Sequence, residues 1–325
     1  MSKSVLIVCL LILMFTYSGF VSNGVQIPNK KYVLVIHGGA GAISKNLPEE
    51  EIDAIKDGIS EALETGQEIL KKGGTAIDAV EAVIRYLENN PNFNAGKGAV
   101  LTEEGIAELD ASIMSGSDLS CGAVGNVKRV KNPITLARNV MEKSKHVLLV
   151  SDGAEKFAKE TGLEMVESDY FITPEMKKNY KKRMKEIEEG KKGTVGAVAL
   201  DLFGNLAAGT STGGMMMKKS GRVGDSPIIG AGNYANNKTV AISCTGWGEK
   251  FIKNLIAYNV HALMEYKGYS LKEAVVGTFN DKLSKNDGGL ISIDRDGNYY
   301  IHYNTMSMTR GVVTSEGRFE VKIWE

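Results

Sequence analysis

The second half of the chain carries several side chains whose types and spacing could do chemistry together. Thr194 follows Gly193 at the start of a buried-looking run, Thr-Val-Gly-Ala-Val-Ala-Leu-Asp201. A threonine hydroxyl is a poor nucleophile unless a base takes its proton. A free α-amino group on the same residue, with a pKa of about 7.7 to 8.0, is such a base near neutral pH. That amine does not exist while Thr194 sits inside the chain. A catalytic Thr194 therefore requires the Gly193–Thr194 bond to break: the hydroxyl attacks the Gly193 carbonyl, an ester forms, and water resolves it to leave a new N-terminus. Glycine before the threonine suits this step because it tolerates unusual backbone geometry. Further along, Gly221-Arg-Val-Gly-Asp-Ser-Pro227 sets Arg222 and Asp225 three residues apart in a glycine-framed turn. A guanidinium fork for a carboxylate and a carboxylate for an ammonium suit a zwitterionic amino acid; an exposed ion pair is the plainer reading.

Other patterns compete. Gly209-Thr-Ser-Thr-Gly213 satisfies G-x-S-x-G, with His37-Gly-Gly upstream as a possible oxyanion loop, which would make Ser211 the nucleophile of an esterase. That elbow needs a helix directly after the serine. Here Gly213-Gly214, three methionines and two lysines follow instead. Gly38-Gly39-Ala40-Gly41 lacks the third glycine of a dinucleotide loop, and no alternating βαβ run follows. The four histidines show no paired metal-ligand spacing, which argues against a zinc site. Equal numbers of basic and acidic side chains, 39 each, argue against a nucleic-acid partner, which demands an excess of Lys and Arg. Three cysteines make no disulfide framework, and Cys121 and Cys244 read as unpaired buried thiols.

These residues need a scaffold. Tyr32 to Ile36 reads as a buried strand running into the glycine cluster 37–41, where a turn is expected. Apolar residues at helical spacing predict a helix over 48–72, stopped by Gly73-Gly74, and a second one capped by Thr75 through Leu87. Residues 133–143 and 152–161 read as helices around a strand at 146–150. The runs from Thr194 and Leu206 form a hairpin, a strand at 239–244 leads into one long helix to about Tyr266, and 271–283 is another helix. A hairpin over 289–302 and an edge strand near 319–323 end the chain. Hairpins predominate over βαβ units, so antiparallel sheets covered by helices fit best.

Thr194 alone would pass for a capping or strand-initiating residue. It is accompanied, in order, by Thr210-Ser-Thr-Gly-Gly214, Gly221-Arg-Val-Gly-Asp-Ser-Pro227, Gly230-Ala-Gly-Asn-Tyr-Ala-Asn236 and Ser243-Cys-Thr-Gly-Trp-Gly-Glu249. This set resembles the plant-type L-asparaginase and isoaspartyl peptidase family of N-terminal-nucleophile hydrolases, and the resemblance extends from His37-Gly-Gly-Ala-Gly41 to Gly288-Gly289-Leu290. It implies a four-layer αββα sandwich of antiparallel sheets flanked by helices, self-cleavage between Gly193 and Thr194, and hydrolysis of L-asparagine and β-aspartyl dipeptides. It also implies roles. Thr212 would orient the nucleophile, the Thr245 hydroxyl and Gly246 amide would form an oxyanion hole, Arg222 would hold the substrate α-carboxylate, and Asp225, helped by the Gly248 carbonyl, its α-ammonium. Asn94 would lie near Thr194. The loop 87–97 matches a structural sodium site whose ligands, mostly backbone carbonyls, would be Leu87, Glu88, Asn90, Phe93, Ala95 and Lys97; no cofactor is implied for catalysis. Met215-Met216-Met217 and Trp247 depart from the smaller or more polar residues often found there and bear on substrate preference. A glycosylasparaginase, the near alternative, would carry Asp rather than Gly193; an amino-acid-binding protein that never exposes Thr194 is the non-catalytic alternative.

The chain then divides. Lys3 followed by the apolar run Val5 to Phe15 and a small, polar stretch to Gly24 has the plan of a secretory signal peptide and is too short for a stable membrane span. Residues 25–193 would be the α subunit and 194–325 the β subunit of one domain, secreted or periplasmic, or lysosomal or vacuolar in a eukaryote. A dimer of such αβ units is the family expectation. Residues 174–193 carry eight Lys or Arg against four Glu and read as a mobile, solvated linker before the scissile bond. Asn237-Lys-Thr239 is a glycosylation triplet.

Overall fold

The computed structural model describes residues 31–41, 43–183 and 193–325. The proposed signal peptide and the second half of the basic linker, 184–192, lie outside the described residues. Strand β1 (Val33–Gly41) alternates so that Leu34 and Ile36 enter one apolar cluster while Val33 and Val35 enter another. A strand buried on both faces belongs between layers. It pairs antiparallel with β5 (Val195–Leu200) on one side and β11 (Ser307–Thr314) on the other. The eight-stranded sheet runs β12 (Phe319–Lys322), β11, β1, β5, β6 (Leu206–Thr212), β2 (Leu109–Ser115), β3 (Cys121–Val127), β4 (Leu148–Val150). Among the described strands of this sheet, only the β3–β4 pair is parallel. A four-stranded sheet, β10 (Tyr299–Tyr303), β9 (Gly288–Asp294), β8 (Val240–Gly246), β7 (Asn233–Ala235), lies against its inner face.

Helices α1 (Glu49–Lys71) and α2 (Ala76–Asn89) cover the outer face of the larger sheet through Ile59, Leu63, Val80, Val83 and Ile84. Thr75 caps α2 by accepting from the Asp78 amide at 3.2 Å. Helix α3 (Pro133–Lys143) covers β2 and β3, with α4 (Ser151–Glu160) beside it. The smaller sheet is covered by α7 (Ile256–Lys267) and α8 (Leu271–Lys282), whose Val260, Ala274, Val275 and Phe279 join the cluster that also fills the space between sheets. The four-layer αββα architecture expected of an N-terminal-nucleophile hydrolase is present.

Three expectations change. The glycine cluster 37–41 is not a turn; β1 continues through it, with a register shift between His37 and Gly39 that leaves Gly39 at φ +116°. The helix after β8 is two helices, α6 (Gly248–Asn254) and α7, broken by Leu255 at φ +46°. Residues 174–183, read as mobile, form α5 (Pro174–Arg183), docked by Met176 and Tyr180 one turn apart; the Tyr180 hydroxyl donates to the Glu103 carbonyl at 2.9 Å. Strands β3, β7 and β11 were not legible in the sequence. β3 is rich in small residues because α3 lies directly on it: a Cβ at Gly122 would stand 2.0 Å from the Ala137 carbonyl oxygen. Cys121 and Cys244 are both free thiols.

Candidate active site

β5 begins at the residue after Thr194, between β1 and β6, so the register of the large sheet places the threonine. Val195 pairs with Ser211, and Asp110 of β2 pairs with Thr212. The Thr194 hydroxyl lies 3.1 Å from the Thr212 hydroxyl and 2.8 Å from the Gly193 carbonyl oxygen. Thr212 accepts from the Gly214 amide at 2.9 Å and donates to the Gly193 carbonyl at 3.1 Å. The Asn94 amide donates to the same carbonyl at 2.6 Å and to the Gly214 carbonyl at 2.8 Å. Two donors thus converge on the oxygen that would become negative if Thr194 attacked Gly193. On the opposite side of this bond, a Cβ at Gly39 would come within 3.0 Å of Gly193 Cα and 3.2 Å of the Thr194 nitrogen. The positive φ at Gly39 is what brings bare backbone against the bond.

Behind Thr194 lies His37, which the sequence offered only as part of a possible oxyanion loop and of the family resemblance. His37 is fully buried, and its Nδ1 is 2.9 Å from the Thr194 carbonyl. A carbonyl only accepts, so Nδ1 carries the proton and Nε2 accepts from the Ser243 hydroxyl at 3.0 Å. Burial lowers the imidazole pKa to about 3, partly opposed by the bond to Thr194, so the ring stays neutral. Room for the pair exists because residue 196 is glycine: a Cβ there would sit 2.0 Å from Ser243 Oγ and 2.3 Å from His37 Nε2. The strand-to-glycine pattern at 37 was the available signal.

The residues expected to bind substrate come from turns. Arg222, Gly224 and Asp225 lie around Gly248 at the start of α6, where a Cβ would meet Asp225 Oδ1 at 2.8 Å and Arg222 Nη2 at 2.9 Å. Asp225 is buried, its Oδ2 has no hydrogen-bond partner, and desolvation pushes its pKa up to about 7 despite Arg222. A buried oxygen without a donor costs free energy until a donor arrives. Arg222 was expected to await a ligand. Instead its Nε and Nη2 donate to the two carboxylate oxygens of Glu249 at 3.0 and 2.9 Å. Thr245 is fully buried and accepts from the Ala40 amide at 3.2 Å, next to the Gly39 that abuts Thr194. Gly246 adopts φ +153°, with the Asp287 carbonyl 2.2 Å from where its Cβ would be.

Ser211, the esterase candidate, is fully buried in β6 and donates to Glu88 at 2.7 Å. The carboxylate of Glu88 also accepts from Asn132 at 3.0 Å and from the Ile134 amide at 3.0 Å; burial pushes its pKa up to about 7. In the loop 87–97, a Cβ at Gly96 would lie 2.2 Å from the Glu88 carbonyl oxygen, and one at Gly98 would lie 2.2 Å from that of Phe93 and 2.5 Å from that of Pro91. The Leu87, Asn90 and Ala95 carbonyls accept from Asn90, Phe93 and Gly98 amides of the same loop. Lys97 keeps its ammonium 5.6 Å from the Tyr170 ring. No cluster of His, Cys, Asp and Glu suited to a metal ion occurs among the described residues. The Asn237 amide nitrogen, where a glycan would attach, donates to Asn205 at 2.9 Å.

Comparison with known proteins agrees with the geometry. The asparaginase family model matches residues 30–323. The chain is 48% identical to the isoaspartyl peptidase of Escherichia coli over 86% of this chain and 92% of that protein. It is 44% identical to the isoaspartyl peptidase/L-asparaginase of Mus musculus over 85% and 86% of the two chains, and 42% identical to that of Danio rerio over 85% and 90%. With a sandwich whose central strand starts beside a threonine facing its own peptide bond, and with this match along almost all of its described length, the chain belongs to the asparaginase family.

Proposed function

We propose that the protein is a self-processing amidohydrolase of L-asparagine and β-aspartyl (isoaspartyl) dipeptides, with Thr194 as nucleophile. The observation that carries this reading is the Gly193 carbonyl held by Asn94 and Thr212 with the Thr194 hydroxyl 2.8 Å away. Attack of Oγ on the Gly193 carbonyl carbon breaks the C–N bond, transfers the hydroxyl proton to the departing nitrogen and leaves an ester; water hydrolyses it, freeing both chain ends. The new amine then takes the Thr194 hydroxyl proton as Oγ attacks the side-chain carbonyl of a bound substrate. The Thr245 hydroxyl and Gly246 amide hold the oxyanion, a device worth about 3 to 4 kcal/mol per donor in comparable enzymes. Ammonia or an amino acid leaves with the proton, and water releases aspartate from the enzyme ester. Arg222 holds the substrate α-carboxylate; the orphan oxygen of Asp225, with the Gly248 carbonyl, holds the α-ammonium. The names of the relatives support both substrates.

Purified protein should show two pieces on a denaturing gel, of residues 25–193 and 194–325, while Thr194→Ala stays in one piece and loses turnover by 10³-fold or more, roughly. An intact, inactive wild-type chain would refute the proposal. The glycine-lined turn at 96–98 fits a sodium ion held by carbonyls of Leu87, Glu88, Asn90, Phe93, Ala95 and Lys97, which would stiffen the loop that carries Asn94. We extend the reading to a dimer of αβ units and to export directed by residues 1–24. No helix among the described residues is long and apolar enough to cross a membrane.

A further inference from the structure

Arg222 already holds a carboxylate, and how it does so bears on recognition. A guanidinium presents two edges that each match a carboxylate, Nε with Nη2 and Nη1 with Nη2. Glu249 takes the first edge through both its oxygens. The second edge faces elsewhere: Nη1 lies 3.3 Å from where a Cβ of Gly214 would be and 2.8 Å from that of Gly224. Gly214 is also the residue whose amide donates to Thr212 and whose carbonyl accepts from Asn94, so this edge points toward the nucleophile. No hydrogen bond from Nη1 occurs among the described residues. Glu249 is itself held. The pairing with Arg222 lowers its pKa, the side chain of Trp247 adds to the same shift, and the Trp247 backbone amide donates to the Asp287 carbonyl at 2.7 Å.

We infer that Glu249 is a positioning residue that fixes Arg222 by its outer edge, so that the inner edge is presented to the substrate α-carboxylate, and that Trp247 steadies Glu249. The inference rests on Arg222 being the carboxylate clamp of the proposed reaction. An arginine left free carries rotamer entropy that substrate binding would have to overcome. A partly exposed pair such as this adds little to fold stability, so its effect lies in orientation. The rival idea is that Glu249 imitates the substrate and must be displaced. The two differ in sign: loss of a positioner weakens binding, loss of a competitor strengthens it.

The test uses the self-processed enzyme and a β-aspartyl dipeptide, with Glu249→Gln, Trp247→Phe and Arg222→Ala compared with wild type. Glu249→Gln should raise KM about tenfold with kcat within about threefold, the split expected when ground-state and transition-state binding fall together. Trp247→Phe, which keeps the carboxylate and loses the indole donor, should raise KM by a smaller factor, about threefold. A KM that is unchanged or lower in Glu249→Gln, while Arg222→Ala raises it, overturns the positioning role alone. An unchanged KM in Arg222→Ala overturns the clamp on which the inference rests.

Discussion

The two sides of Thr194 are built differently. On the side of the scissile bond, the groups belong to the register of β1, β5, β6 and β2 or to a loop bonded to them, and each has a partner: Thr212 with Gly214 and Gly193, Asn94 with two carbonyls, His37 with Thr194 and Ser243. On the recognition side, the groups come from the turn 221–227 and the start of α6, and one buried carboxylate oxygen has no donor. A reaction performed once, on the chain itself, can use a site complete in advance. A reaction performed on incoming molecules leaves room for the molecule to complete the site, and Asp225 Oδ2, buried without a donor, is the place the proposed reaction gives to an ammonium.

The contrast can be broken by separating the two reactions. Asn94→Ala should slow self-cleavage of freshly made precursor about 10²-fold, as loss of an oxyanion donor does, whereas Asp225→Asn should cleave at the wild-type rate and lose kcat/KM instead. Gel densitometry over time checks the first half and dipeptide hydrolysis the second; equal slowing of cleavage in both variants would erase the distinction. Gly196→Ala tests whether the completed side tolerates any added atom. With Ser243 Oγ 2.0 Å and His37 Nε2 2.3 Å from the new carbon, it should lose about 3 kcal/mol by chemical denaturation, at the upper end of overpacking costs.

A weaker effect sharpens the recognition side. Asp225 has its pKa raised to about 7 by burial, and only its ionised form pairs with an ammonium. Affinity for L-aspartate, read by calorimetry, should therefore fall as the pH drops below about 7, approaching tenfold per pH unit, and this dependence should vanish in Asp225→Asn. Smallest of all, Ser270→Ala removes the capping box of α8, remote from both sides, and should cost about 1 kcal/mol in thermal unfolding without changing either reaction.

Legibility followed local physics. The β5–β6 hairpin, α1 and α2 were plain from alternation, helical spacing, the Gly73-Gly74 stop and the Thr75 cap. Thr194, Arg222 and Asp225 stood out because each offers a reactive or charged group beside glycines. What escaped depends on contacts distant in sequence. β11 reads as polar, Ser-Met-Thr-Arg-Gly-Val-Val-Thr, yet all eight of its residues are buried because it lies between β1 and β12. α5 looked solvated because two anchors, Met176 and Tyr180, are few, and their docking site near Glu103 lies far away in the chain. Glu249 was quoted within a motif, but that its carboxylate reaches Arg222 is decided by the turn of α6.

The place of β5 has a last consequence. It lies fourth in the order of eight strands, flanked by β1 and β6, so a break before Thr194, the residue that precedes the strand, puts a new chain end in the interior of a sheet rather than at its rim. Before the break, unfolding yields one polypeptide and refolding is a first-order event. Afterwards unfolding releases two polypeptides, and regaining the fold requires them to meet, so its apparent stability depends on protein concentration. Dilution, harmless to the precursor, then favours separation of the mature pair, and durability rests on how slowly the interleaved strands come apart.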